Sequence, residues 1–366
     1  MDDLKKQLGL LRRLDPVAGL ATFALLITGV AFIYSAGYGR ESNQWARQLL
    51  FVVLGIPVYL GAALIDYRRL REWAPLLYLL SLGLLIGLFF FGMSVYGAKR
   101  WYNLGILLFQ PAEAAKLALI ALLGVWFSDP LRSLRRGSGI LFPLLLTAVP
   151  FALIAAQPDV GTAFILLCIF GAMYFTAGAG WRMLSLLMLV GVLSLPVAWT
   201  MLRPYHRDRI MVFLDPDRDP LGRGWNVRQS QMAVGSGGLH GKGFRQGTQN
   251  LLGFLPTTVA PTDFIYSVIA EEKGFLGATF MLTLYSLIFI ALANTALRTP
   301  DPFGRQITIG ILAMFCAHVT INVAMTVGLM PIIGLPLPLV SYGGSFVLSI
   351  MLALGLVQSV HIRRDG

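Results

Sequence analysis

Apolar residues run along this chain in long blocks of similar size. Segments near 16–36, 48–65, 74–92, 110–127, 139–156, 162–178, 183–202, 267–294, 306–330 and 339–361 are each long enough to cross about 30 Å of hydrocarbon as a helix. The pattern predicts an all-α integral membrane protein of about ten transmembrane helices, a single polytopic membrane domain over 1–366. No period of 20–50 residues recurs, so a repeat architecture is not expected. Most connections are short. The exception is 203–266, about sixty residues between the seventh and eighth spans, where loops beyond about 12–15 residues are usually functional or disordered. Its Trp225, Phe244, Phe254 and Leu255, mixed with charges and glycines, argue against plain disorder.

Composition agrees: 56% of the residues are hydrophobic and 13% charged, against about 25% charged in soluble domains. The net charge of +11 would suit a nucleic-acid binder, but the basic residues form no tract with interleaved aromatics. They follow the connections instead. With the N-terminus inside, the inner pieces hold Lys5, Lys6, Arg12, Arg13, Arg68, Arg69, Arg71, Arg132, Arg135, Arg136, Arg182, Arg298, Arg305, Arg363 and Arg364. The short opposite loops hold Arg40, Arg47, Lys99 and Arg100. Fifteen against four places both termini in the cytoplasm and the long connection outside. The basic start precedes a full-length span with no small-residue cleavage pattern, so no cleaved signal peptide is expected. Cys168 and Cys316 lie in apolar runs without metal-ligand spacing, which predicts neither a disulfide nor a zinc site.

Ionisable residues at membrane depth are costly and mark candidate sites. In QPAEAAKLALI, Glu113 and Lys116 are three apart on one helical face. They suit either a buried structural pair or a contact with an anionic substrate. Lys99, Arg100, Trp101 and Tyr102 precede them, a set suited to phosphate and sugar contact or to interfacial anchoring. Asp159 in AAQPDVGT could cap the sixth helix or sit in a site. Pro331, Pro336, Pro338, Gly343 and Gly344 break an apolar stretch, which is tolerated only where protein buries it or it lines a cavity. In the long connection, VGSGGLHGKG fails the Walker A pattern at Ser236 and Gly243, and the dinucleotide pattern from Gly235 fails at His240. Nucleotide binding is therefore disfavoured, although its amides beside Lys242 could cradle a phosphate. Asp263 opens the eighth helical segment, with Glu271 and Glu272 about two turns on. A helix cap is the ordinary alternative for it.

These residues resemble the SEDS family, the shape, elongation, division and sporulation proteins of bacterial cell-wall synthesis. The matching pieces span nearly the whole chain: GAKRWYNLGILLFQPAEAAKLAL, QPDVGT, LDPDRDPLGRGWNVRQSQMAVGSGGLHGKG, TDFIYSVIAEE and GLPLPLVSYGGS. GSGGLHGKGFRQGTQ looks like the elongation branch rather than the division branch. The resemblance implies a peptidoglycan glycosyltransferase of the bacterial inner membrane that joins lipid II into a growing glycan strand. It also implies a class B penicillin-binding protein, a transpeptidase, as partner. The family's key carboxylate falls on Asp263. Family members typically carry three residues between FLP and TDF; this chain has five, Thr257 to Pro261.

Joining sugars requires a hydroxyl to attack an anomeric carbon bearing pyrophosphate. A carboxylate within reach can take the proton, and Asp263 is the candidate general base. Because pyrophosphate leaves well, one carboxylate suffices; the growing charge needs cations. Arg100, Lys116 and Lys242 are candidates, with Asp159 as a further substrate contact. No metal-ligand cluster is visible in the sequence, while a divalent Mg or Mn ion could bridge the phosphates. A single displacement inverts the anomeric carbon to give a β-linked glycan. Two rival classes are a lipid II flippase, which needs alternating access but no base, and a non-catalytic scaffold for the transpeptidase.

Overall fold

The computed structural model describes residues 9–37, 43–95, 98–105, 107–129, 138–178, 180–201, 204–220, 222–255 and 259–364. Lys5, Lys6, Arg40, Arg132, Arg135, Arg136, Thr257 and Thr258 lie outside the described residues. The expected apolar segments lie on helices. These are α1 (Pro16–Ala36), α2 (Gln44–Leu64), α3 (Leu70–Phe91), α4 (Pro111–Phe127), α5 (Ser138–Ala156), α6 (Val160–Thr176) and α7 (Trp181–Met201). After the long connection, which carries α8 (Pro204–Leu214) and α9 (Arg223–Ser236), come α10 (Ile265–Arg298), α11 (Pro302–Thr326) and α12 (Gly344–Ile362). Among the described residues, seven of these helices are long and apolar enough to cross a membrane: α1, α2, α3, α5, α10, α11 and α12. The α4 and α6 helices are shorter, at 17 residues each, and α7 is apolar over Trp181–Ser194. The protein is a multi-pass membrane protein.

Local chemistry fixes where several helices begin. Asp15 and Asp301 each precede a proline at the first helical position, and their carboxylates accept from the next free amides, Val17 and Ala18 for α1 and Phe303 and Gly304 for α11. Proline is preorganised there and lacks the amide that would go unpaired. Between α3 and α4 runs a small antiparallel sheet, β1 (Met93–Val95), β2 (Ala98–Asn103) and β3 (Leu108–Phe109), in that order. Helix α11 packs against α4, α6 and α10; α2 packs against α12, and α1 against α10. Helix α4 is enclosed by protein on nearly every side and so needs no polar face, while α11 keeps a partly exposed stripe through Ile309, Leu312, Cys316, Thr320 and Val323.

The α10 helix is broken nine residues after Ile265. Gly274 has φ 65° and ψ −163°, a region essentially reserved for glycine. The freed backbone groups are matched by the segment after α9. Amides of Lys242 and Gly243 donate to the carbonyls of Glu271 and Glu272, both at 3.0 Å, while the amides of Phe275 and Leu276 donate to Gly238 and Leu239. The glycines of GSGGLHGKG permit this contact: a Cβ on Gly241 would lie 2.3 Å from the Glu272 carbonyl oxygen. Those amides therefore complete a broken helix and do not form the phosphate cradle that the glycine pattern suggested.

A Gly274→Ala variant should lose about 2–3 kcal/mol or more, since it combines a strained backbone with a Cβ only 2.3 Å from the Gly241 nitrogen. Melting curves in detergent measure the loss. Gly83→Ala in α3, where an added Cβ meets nothing within 4 Å, should hold or slightly raise stability because alanine favours helix.

Candidate active site

Asp263 stands just before α10, outside its membrane-crossing length. Phe264 occupies the cap position and no side chain caps the helix there, so the cap reading of Asp263 is overturned. The residue is pinned through its backbone. Its amide donates to Val259 O at 2.9 Å, and its carbonyl accepts from Asn322 Nδ2 at 3.0 Å. Asn322 reaches from α11 and also donates to Leu335 O at 2.7 Å, tying the TDF turn to the broken segment 327–343.

That segment, VGLMPIIGLPLPLVSYG, has several of its backbone groups matched by protein, as depth in a membrane favours. The Ser341 hydroxyl donates to Thr262 O and accepts from Leu337 N at 2.8 Å. Tyr342 N donates to Pro261 O at 2.9 Å, and the Tyr285 hydroxyl donates to Pro338 O. Gln48, fully buried in α2, donates to Ser341 O at 3.2 Å and accepts from Gly343 N at 3.1 Å. The turn bearing Asp263 is thus held from α2, α10 and α11 at once, leaving the residue mostly but not wholly buried.

Three charged groups act on that carboxylate: Arg209 from α8, Arg100 from β2 and Asp159 at the start of α6. Burial pushes the Asp263 carboxyl up to about 6; Arg209 and Arg100 oppose the rise, and Asp159 adds to it. Asp159 caps α6 through Thr162 N at 3.2 Å. Its other oxygen is 3.7 Å from Arg100 Nη1 and accepts from Gln110 Nε2 at 3.4 Å. Arg100 donates from Nε to Gln157 O at 3.1 Å and from Nη2 to Pro158 O. It braces the turn that carries Asp159.

Lys116 is fully buried, with its ammonium 3.0 Å from Glu113 Oε1 and 2.8 Å from His318 Nε2, over the Phe346 ring. Its hydrophobic stem and its head are both enclosed. Lys242 lies elsewhere. Its ammonium is 2.7 Å from Glu271 Oε1 and 2.6 Å from Thr248 Oγ1, while Glu272 accepts from Ser35 Oγ and Arg245 N. The neighbouring carboxylates of α10 thus anchor the inserted loop. Of the residues singled out from sequence, the structure brings Arg100, Asp159 and Asp263 together, sets the Glu113–Lys116 pair in the adjoining helix start, and leaves Lys242 on Glu271. Sequence reading missed Arg209, His318 and Asn322. Their partners are distant in sequence, and the one local hint was an arginine cluster, RPYHRDR, opening the long connection.

A model of the cell cycle protein family FtsW/RodA/SpoVE matches residues 17–365. The chain belongs to this family. Among similar family members, the peptidoglycan glycosyltransferase MrdB of Escherichia coli (strain K12) is 38% identical over 354 residues, covering 96% of this chain and 94% of its own. The peptidoglycan glycosyltransferase RodA of Treponema pallidum (strain Nichols) is 32% identical, covering 94% of this chain and 96% of its own. Among solved structures, a chain from a peptidoglycan synthase complex that coordinates polymerization and crosslinking is similar at TM-score 0.81 and 33% identity, covering 96% of this chain and 98% of its own. The rod shape determining protein RodA of Thermus thermophilus is similar at TM-score 0.73 and 30% identity, covering 96% and 98%.

Proposed function

We propose that this family member is a peptidoglycan glycosyltransferase that polymerises lipid II during cell elongation, with Asp263 as general base. One observation carries the reading: the carboxylate of a partly buried aspartate, freed from any capping duty, is held by backbone clamps at a junction where two arginines and a second carboxylate act on it. A structural carboxylate would be consumed by its neighbours. A base must be oriented, accessible and able to take a proton.

In the proposed step, Asp263 takes the proton from a sugar hydroxyl as that oxygen bonds to the anomeric carbon of the donor. The bond from that carbon to the pyrophosphate breaks, and its electron pair leaves with the polyprenyl pyrophosphate. The displacement inverts the carbon. A carboxyl raised to about 6 is a stronger base than an ordinary aspartate yet stays mostly ionised at neutral pH. Mg²⁺ or Mn²⁺ at the pyrophosphate would be carried chiefly on the substrate phosphates, with Asp159 as one carboxylate ligand, and would neutralise phosphate charge while Asp263 stays unligated to take the proton. The partner proposed is a class B penicillin-binding protein, supported by the similarity to a chain of a polymerising and crosslinking complex.

The pH–rate profile tests the base. The rate of polymer formation should fall as pH drops through about 6, because protonated Asp263 cannot accept the hydroxyl proton. A rate that stays level from pH 8 to pH 5 removes Asp263 from that role.

The proposed setting is the bacterial inner membrane, with both termini cytoplasmic and the Asp263 end of the bundle outside. A cysteine replacing Leu214, which is 71% exposed on α8, should react with an impermeant thiol reagent from outside. One replacing exposed Arg69 should not. The reverse pattern inverts the topology and moves the site to the cytoplasm.

A further inference from the structure

Asn322 lies on α11 with no part of it exposed, and its Nδ2 donates to two carbonyls, Asp263 O at 3.0 Å and Leu335 O at 2.7 Å. The two acceptors belong to facing walls of one space. Leu335 follows Gly334, where an added Cβ would lie 3.3 Å from Asp263 Oδ2. We propose that Asn322 is a positioning residue for polymerisation: by holding Asp263 O and Leu335 O from one nitrogen, it sets the gap between the base and the Gly334 backbone in which the attacking sugar hydroxyl is held. This assignment rests on the polymerase reading above.

The contact selects the residue type. Both neighbours are carbonyl oxygens, so the amide can face them only with its NH2, and its two hydrogens match the two acceptors. A hydroxyl has one hydrogen to give and a carboxylate has none. Asn322 Oδ1, meanwhile, has no hydrogen-bond partner among the described residues. A buried acceptor left unmatched carries a desolvation cost, so the site keeps Asn322 for its donors.

The bridge rests on firm supports. One turn earlier on the same face of α11, His318 Nε2 meets the Lys116 ammonium at 2.8 Å, and α11 packs against α4, α6 and α10. The Gly334 wall is tied on its other side as well, where Ile333 O accepts from Arg209 Nη1 at 2.7 Å. Gly334 has φ 78°, a conformation suited to glycine, and its missing side chain keeps the space beside Asp263 Oδ2 clear. A general base works only within hydrogen-bond reach of the proton it takes, and a misplacement of about 1 Å can cost on the order of 10²-fold in rate. Asn322, wholly enclosed, acts on the reaction through Asp263 and not by touching substrate.

Initial rates against lipid II concentration and pH, with melting curves, test the assignment on Asn322→Ser. Its kcat should fall about 10- to 100-fold, with KM within about threefold of wild type. The acid midpoint of the pH–rate profile should move down from about 6 toward ordinary aspartate values, as the freed turn lets water reach the carboxylate. A second readout needs no turnover: the Tm difference between Asp263→Asn and its parent at neutral pH should shrink in the Asn322→Ser background, because a carboxyl already released gains little from its removal. If Asn322→Ser does not fold, Asn322→Gln serves. It carries both donors one methylene further out and should show the same split, with kcat down at least about fivefold. A folded variant with kcat within about twofold of wild type overturns the proposal. So does one that melts lower and turns over more slowly with its acid midpoint unmoved, the mark of a merely structural residue, or one whose KM rises by more than its kcat falls, the mark of a substrate contact. Failure of wild type to make polymer while the Tm coupling persists would count against the polymerase reading and leave the clamp on Asp263 standing.

Discussion

Replacing Asp263 by asparagine is expected to lower glycan polymerisation by at least about 10² while the protein stays folded. The amide keeps the size of the side chain but cannot accept a proton from a sugar hydroxyl. Because Asp263 makes no cap, and Asn322 and Val259 hold its backbone rather than its carboxylate, the substitution removes little structure. It should even add stability at neutral pH. The folded carboxyl titrates near 6 against an ordinary 3.8, so its stabilising contribution is complete below pH 3.8 and is lost as pH rises through about 6. At pH 7.5 the asparagine variant avoids this cost, with an upper limit of about 3 kcal/mol at full burial and less for a group that keeps some contact with solvent. Near pH 4 wild type carries the proton itself and the difference should shrink. Melting curves at the two pH values, with initial rates at neutral pH, check both halves. A folded variant keeping more than about a third of the wild-type rate would leave Asp159 as the next carboxylate to test.

Breaking the Glu113–Lys116 pair should have the largest effect on stability. The ammonium is fully buried, 3.0 Å from Glu113 and 2.8 Å from His318, and Glu113 is nearly as buried. Lys116→Ala therefore leaves a carboxylate without its counter-charge, a loss of about 3–5 kcal/mol, and Glu113→Ala should do comparable harm. The double variant Glu113→Leu/Lys116→Met removes both charges and should recover much of the loss, because a buried pair replaced by apolar residues of similar volume is often neutral. If both single alanine variants melt and polymerise like wild type, the pair has no part in fold or activity. If the double variant regains stability but not turnover, the pair also serves the reaction.

The membrane helices were legible because lipid imposes a simple demand: a spanning segment must satisfy its own backbone and face hydrocarbon. The apolar blocks of the sequence accordingly lie on α1 to α7 and α10 to α12. The break in α10 was not legible, since a lone glycine in a helical pattern does not announce φ 65° at Gly274 or that the loop Gly238–Gly243, upstream of it, completes the helix. The same loop explains the reading of Lys242. Glycines beside a lysine serve a phosphate cradle and close backbone packing equally well, and only the tertiary contact with Glu271 distinguishes them. Asp159 and Arg100 stood out as charges flanking apolar segments. Arg209 did not, because its neighbours Ile333 and Asp263 are far along the chain, and His318 was one polar position inside an apolar helix until Lys116 was placed against it.

Incubation of the purified wild-type chain with lipid II in detergent tests the central claim most directly. The account predicts an extended β-linked glycan, with one polyprenyl pyrophosphate released for each bond formed. Movement of lipid II between leaflets of proteoliposomes, with no polymer under any partner or metal condition, would contradict it and identify a transporter.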